Sequence, residues 1–150
     1  MINKDLVKKL VQEFIEDKEI FLVDIKVSTS NRISILVNKP GDISVDDCVQ
    51  ISRHIEANID REIEDYELNV SSPGINIPFK VREQYEISIG RMVEVVDNEG
   101  NKLKGTLTGV EGEGFEIKYE KKHKGKKSEL LMASFNFEDV KSVKEVISFK

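Results

Sequence analysis

Behind Asn3, apolar residues recur at Leu6, Val7, Leu10, Val11, Phe14 and Ile15, the spacing of a helix that buries one face. The period then drops to two. Phe21, Val23, Ile25 and Val27 alternate with polar positions, as do Ile33, Ile35 and Val37, and the polar stretch 28–32 between them predicts a hairpin. Lys39-Pro40-Gly41-Asp42 ends the second strand. Ser44 opens another helix, with Asp47 three residues on as a short version of a capping box and Cys48, Ile51, Ile55 and Ile59 as its apolar stripe. Tyr66, Leu68 and Val70 then alternate as a third strand, which stops at Ser71-Ser72-Pro73-Gly74. The order helix, strand, strand, helix, strand predicts a small α+β layer.

Beyond Gly90 the pattern changes to short strands, expected at 92–96, 103–110, 115–119, 130–135 and 143–149. Asp97-Asn98-Glu99-Gly100 and Glu111-Gly112-Glu113-Gly114 supply tight turns, and Phe137-Glu138-Asp139-Val140 reads as one helical turn. Five short strands predict an all-β small barrel of the SH3 or Sm kind, in which closure limits bare edges. A short helical segment at 81–85 precedes the change. The expected domains are therefore 1–85 and 86–150.

The chain has 150 residues, 39% hydrophobic and 34% charged, enough to bury a core in each half. No stretch approaches the roughly 18 apolar residues of a membrane span. Asp5, Glu13 and Glu16 break up the first twenty residues against a secretory signal. The single cysteine, Cys48, has no internal disulfide partner, so a reducing cytoplasm is the expected compartment. Net charge is −5, unlike a protein that binds nucleic acid by its overall field. The charge is uneven, however. Residues 1–85 carry 11 basic and 16 acidic side chains, the remainder 12 of each, and five lysines crowd into 121–127. Two surfaces of different sign imply more than one kind of contact.

Three segments carry a further signal: Lys39-Pro40-Gly41-Asp42-Ile43-Ser44-Val45-Asp46-Asp47-Cys48, Val70-Ser71-Ser72-Pro73-Gly74, and a β-rich end with Phe137-Glu138-Asp139-Val140. In this order they resemble the ribosome maturation factor RimP family. The resemblance implies an N-terminal α+β domain, a C-terminal Sm- or SH3-like barrel, and a cytoplasmic assembly factor without catalysis. It also implies binding to the free, immature 30S small subunit near 16S ribosomal RNA and small-subunit ribosomal protein twelve, by a monomer with no cofactor, small-molecule substrate or membrane. The family often follows Ser-Pro-Gly with Leu-Asp-Arg-Pro; Ile75-Asn76-Ile77-Pro78 stands here, without the acidic and arginine side chains.

Each motif has a plain reading beside its functional one. Pro73 and Gly74 suit a type II turn, with Pro presetting φ and Gly taking positive φ, which either redirects the chain or presents Ser71 and Ser72 to a partner. Asp46 and Asp47 fit helix capping; as metal ligands they lack an Asp-rich loop with a glycine hinge. They join residues 71–74 as the expected partner surface, because an acidic domain should attract a cationic ribosomal protein. Lys121, Lys122, Lys124, Lys126 and Lys127 form either a solvated hairpin loop or a set of phosphate contacts. Nearby Phe115 and Tyr119 are expected in the core. His54 lies roughly 120° around its helix from Cys48, so the two cannot form a nucleophile–base pair there. His123 sits among lysines, and the Cys and His spacing matches no zinc site. A hydrolase reading thus lacks a constellation. A generic Sm-like RNA-binding regulator is the main alternative to a ribosome assembly factor.

Overall fold

The computed structural model describes residues 2–75, 77–122, 124–125 and 127–147. They fall into two compact units, Met1–Pro73 and Gly74–Lys150.

In the first unit, α1 (Lys4–Ile15) is followed by β1 (Phe21–Val27), β2 (Arg32–Asn38), α2 (Val45–Asn58) and β3 (Glu67–Ser71). The Asn3 side chain accepts the N–H groups of Asp5 at 2.8 Å and Leu6 at 3.4 Å, answering donors that the first helical turn leaves unpaired. Strands β1 and β2 pair antiparallel, with a bulge between Leu22 and Asp24. Strand β3 pairs parallel to β2, placing Ile35 beside Val70 and Leu36 beside Ser71. Parallel neighbours need a long crossover, and α2 supplies it. Val7, Leu10, Val11 and Ile15 of α1 meet Cys48, Ile51 and Ile55 of α2 over Ile33, Ile35 and Val37 of the central strand.

The β1–β2 turn is held by Asn31, at φ +58°. Its carboxamide oxygen accepts the N–H of Ile2 at 2.8 Å. Its amide nitrogen donates to Glu64 Oε2 at 3.1 Å and to the Asp65 carbonyl at 3.2 Å. Asparagine tolerates the left-handed region because its short amide bonds locally. One side chain thus ties the start of α1, the hairpin and the approach to β3.

The second unit contains α3 (Arg82–Ile87), β4 (Met92–Asp97), β5 (Lys102–Glu111), β6 (Gly114–Lys121), β7 (Glu129–Asn136), a 3-10 turn (Phe137–Asp139) and β8 (Val140–Glu145). The sheet is antiparallel in the order β7-β6-β5-β4-β8, an open ladder with β7 and β8 at its edges. Val93, Val95, Leu107, Phe115, Ile117 and Val143 form its core with Tyr85 from α3. Gly114 is required by close approach: a Cβ there would stand 2.1 Å from the Phe135 carbonyl oxygen.

Several expectations differ from this arrangement. Residues 79–85 group with the second unit because Phe79 and Tyr85 pack into its core, so the compact units meet at Pro73/Gly74 rather than after Tyr85. The last strand starts at Val140 instead of Val143, directly out of the 3-10 turn, and pairs with β4; Phe149, expected in it, lies outside the described residues. Tyr119 is half-buried and stands outside the core that takes Phe115. The type II turn expected at Pro73-Gly74 does not form. Gly74 is not among the glycines with positive φ, and 72–74 run without a turn. The φ that proline fixes suits extended backbone as well as it suits a turn.

Candidate functional site

The loop after β2 is a built feature. Gly41 and Asp42 take φ of +79° and +72°, and the Asp42 N–H donates to the Lys39 carbonyl at 2.9 Å. Asn38 Oδ1 accepts the N–H groups of both Lys39 and Ile43, each at 2.9 Å. The loop then delivers Ser44 as the N-cap of α2. The Asp47 N–H donates to Ser44 Oγ at 3.1 Å, and the Ser44 N–H donates to Asp47 Oδ2 at 3.3 Å, closing the capping box. Lys39 Nζ completes the cluster 2.7 Å from Asp47. Hydrogen bonding from Lys39, then from Ser44, holds the Asp47 carboxyl below its ordinary pKa. Asp46 accepts from Gln50 at 2.8 Å one turn on.

Both acidic residues therefore work for their own helix. Asp46 remains exposed and Asp47 is partly covered. The parallel register gives them neighbours that the sequence did not indicate. The chain leaves β2 at Asn38 to enter α2, and β3 runs the same way and ends at Ser71, level with Leu36. The start of α2 and the Ser71-Ser72-Pro73 end of β3 thus lie at one end of the sheet. Ser72 is exposed, and among the described residues neither the Ser71 nor the Ser72 hydroxyl has a hydrogen-bond partner. Gly74 belongs to the second unit.

The lysine-rich segment is the β6–β7 connection. Lys121, the last residue of β6, stands opposite Glu129 in the ladder, so a carboxylate is near its charge. Lys122, Lys124 and Lys127 lie beyond that pair and are exposed, with Gly125 at φ +76° turning the chain. Lys126 and His123 lie outside the described residues, as does Asn76 of the family-pattern segment. A projecting hairpin of amines offers point charges suited to phosphate oxygens.

Catalytic chemistry finds no such support. Cys48 is buried in the first core, where desolvation and then the Asp47 charge raise its thiol pKa, opposite to what a nucleophile needs. His54 packs its ring on Phe14 at 5.4 Å, and its Nε2 is buried with no hydrogen-bond partner. Among the described residues no three His, Cys, Asp or Glu side chains converge as metal ligands would, and no helix is long and apolar enough to cross a membrane.

The chain thus joins a small α+β unit with a capped acidic helix start to an antiparallel β unit with a cationic hairpin. Comparison with known proteins names the family. The model of the RimP N-terminal domain matches residues 10–76. The chain is 36% identical to the ribosome maturation factor RimP of Porphyromonas gingivalis over 117 residues, 78% of this chain and 77% of that protein. It is 37% identical to that of Christiangramia forsetii over 105 residues, 69% and 68% of the two chains. The chain belongs to the ribosome maturation factor RimP family, a family of maturation factors and not of enzymes.

Proposed function

We propose that this chain is a cytoplasmic ribosome biogenesis factor that binds the free, immature 30S small subunit and promotes its assembly. The observation that carries the reading is the match to proteins named ribosome maturation factor RimP over most of their length. It acts by binding, as a monomer without cofactor. The first unit takes small-subunit ribosomal protein twelve, using Asp46, Asp47 and the Ser71-Ser72-Pro73-Gly74 segment. The second unit contacts 16S ribosomal RNA through Lys121, Lys122, Lys124, Lys126 and Lys127.

Charge supports the division of labour. Residues 1–73 hold nine Lys and Arg against fifteen Asp and Glu; residues 74–150 hold fourteen against thirteen. A cationic ribosomal protein is steered to the first group, which raises association rate and selectivity more than affinity. In this reading the open five-stranded antiparallel sheet of the second unit is an SH3/Sm-like module, and its hairpin tip is the RNA contact.

Co-sedimentation of the full chain with purified immature small subunits, mature small subunits and short free RNAs tests the proposal. Retention on immature subunits in preference to the other two is expected. Equal retention on free RNA would instead make the chain an Sm-like RNA-binding regulator not dedicated to the ribosome, the reading that its cationic hairpin would also suit.

A further inference from the structure

The second unit contains a cleft of about 390 Å³ lined in part by Phe137 and Val140 of the third sequence motif. Beside Pro78, Val81, Val140 and Val143 its apolar lining holds three aromatic rings: Phe79 and Phe137 are half-buried, and Tyr85 sits between them with ring centroids 4.9 Å from each. Its polar lining is cationic, with Lys80, Arg82 and Lys141 at the rim and no carboxylate among the lining residues. Arg82 is held in place by Glu86 at 3.2 Å and by the Gly112 carbonyl, with its guanidinium 5.8 Å from the Phe137 ring centre.

The cleft wall is preorganised. Gln84, buried in α3, accepts the N–H groups of Lys80 at 2.6 Å and Val81 at 3.1 Å, and the Phe79 N–H donates to the Val143 carbonyl at 2.7 Å. The strap 78–81 therefore does not have to be ordered by a ligand, which removes an entropic cost of binding. Other clefts lie on this unit: one of about 460 Å³ is lined by Glu111, Glu113 and Glu116 and would repel an anion, and one of about 600 Å³ sets Glu120 beside Lys104 and Lys118 and has one aromatic ring, Tyr119.

We propose that the cleft binds an unpaired nucleotide of single-stranded RNA, its base against Phe137 and Phe79 and its phosphates against Arg82 and Lys141. Aromatic faces stack any base, and a guanidinium and an amine at the rim neutralise the backbone, a combination that neither an apolar peptide nor a double-stranded helix would use. The inference rests on RNA being the partner of the second unit. It adds a second contact, sensitive to the base, to the sequence-blind lysines of the hairpin.

The test is fluorescence anisotropy of the full chain with labelled hexaadenylate RNA, an abasic hexamer of equal charge and a proline-rich peptide. Backbone amide shifts are mapped in parallel. Hexaadenylate should bind at least about tenfold more tightly than the abasic strand, with shifts at residues 79–82 and 137–141. Phe137→Leu, which keeps an apolar side chain, should remove that difference while the chain still melts cooperatively, at a Tm lowered by the lost contacts to Tyr85 and Phe115. Lys141→Gln, at an exposed position, should lower the salt slope by about one. Equal binding of abasic strand and RNA, shifts confined to 121–127, or preference for the peptide would each overturn the cleft. Co-sedimentation with immature subunits, measured on the same variants, separates that outcome from failure of the ribosomal reading.

Discussion

Lys39 Nζ stands 2.7 Å from Asp47 Oδ2, joining the loop that leaves β2 to the first turn of α2. The carboxylate that completes the capping box is thereby neutralised within its own chain. Between the two acidic residues at this helix start, Asp46 is the exposed one.

The pair has a pH signature. Because the folded pKa of Asp47 is lowered, the unfolded chain binds its proton more readily, and the stabilisation is complete only above the ordinary value of 3.8. It is lost as pH falls below that value toward the folded one. Asp47→Asn should therefore lower Tm at neutral pH and flatten the acid limb of a Tm-against-pH curve. A parallel offset at every pH would show that the ion pair contributes nothing.

Asn31 should matter beyond its place in a turn. Asn31→Gly keeps the left-handed backbone but removes the bonds to Ile2, Glu64 and Asp65, costing roughly 1–2 kcal/mol by urea denaturation. Asn31→Ala should cost about 1 kcal/mol more, from the Cβ at φ +58°. Equal losses for the two would place the whole effect in the side-chain bonds.

Two glycines of the β unit should respond oppositely. Gly114→Ala pushes a methyl against the Phe135 carbonyl and should destabilise by about 1–3 kcal/mol. At Gly109 nothing lies within 4 Å of an added Cβ and φ is not positive, so Gly109→Ala should be neutral or slightly stabilising. Thermal melts of both variants decide the matter.

Replacing Lys121, Lys122, Lys124, Lys126 and Lys127 by Ser should reduce the slope of log affinity against log salt for subunit binding by up to about 3. The opposed Glu129 makes Lys121 the smallest contributor. An unchanged slope would remove the hairpin from the interface.

Ser72→Arg places a cation in the exposed segment after β3 and should weaken binding of small-subunit ribosomal protein twelve several-fold, with Tm unchanged. Full affinity in that variant would exclude residues 71–74 as a contact.

By itself the sequence determined what short-range physics controls. The spacing of Val7, Leu10, Val11 and Ile15 and the caps at Asn3 and Ser44 specify helices, because the relevant groups lie within four residues of one another. Alternation does the same for β1, β2 and β6, and the lysine hairpin is legible as a run of charge. Tertiary structure decided what depends on residues far apart in the chain. The parallel placement of β3 brings the end at Ser71 to the same end of the sheet as Asp46, and alternation cannot encode it because it is blind to strand direction. Pro73-Gly74 is compatible in sequence with a type II turn, and only the backbone, with Gly74 not at positive φ, shows that this turn is not made. Phe79, Tyr85 and Phe137 come from separate segments with no shared periodicity; they meet because β8 returns beside β4 and the 78–81 strap bonds to Val143.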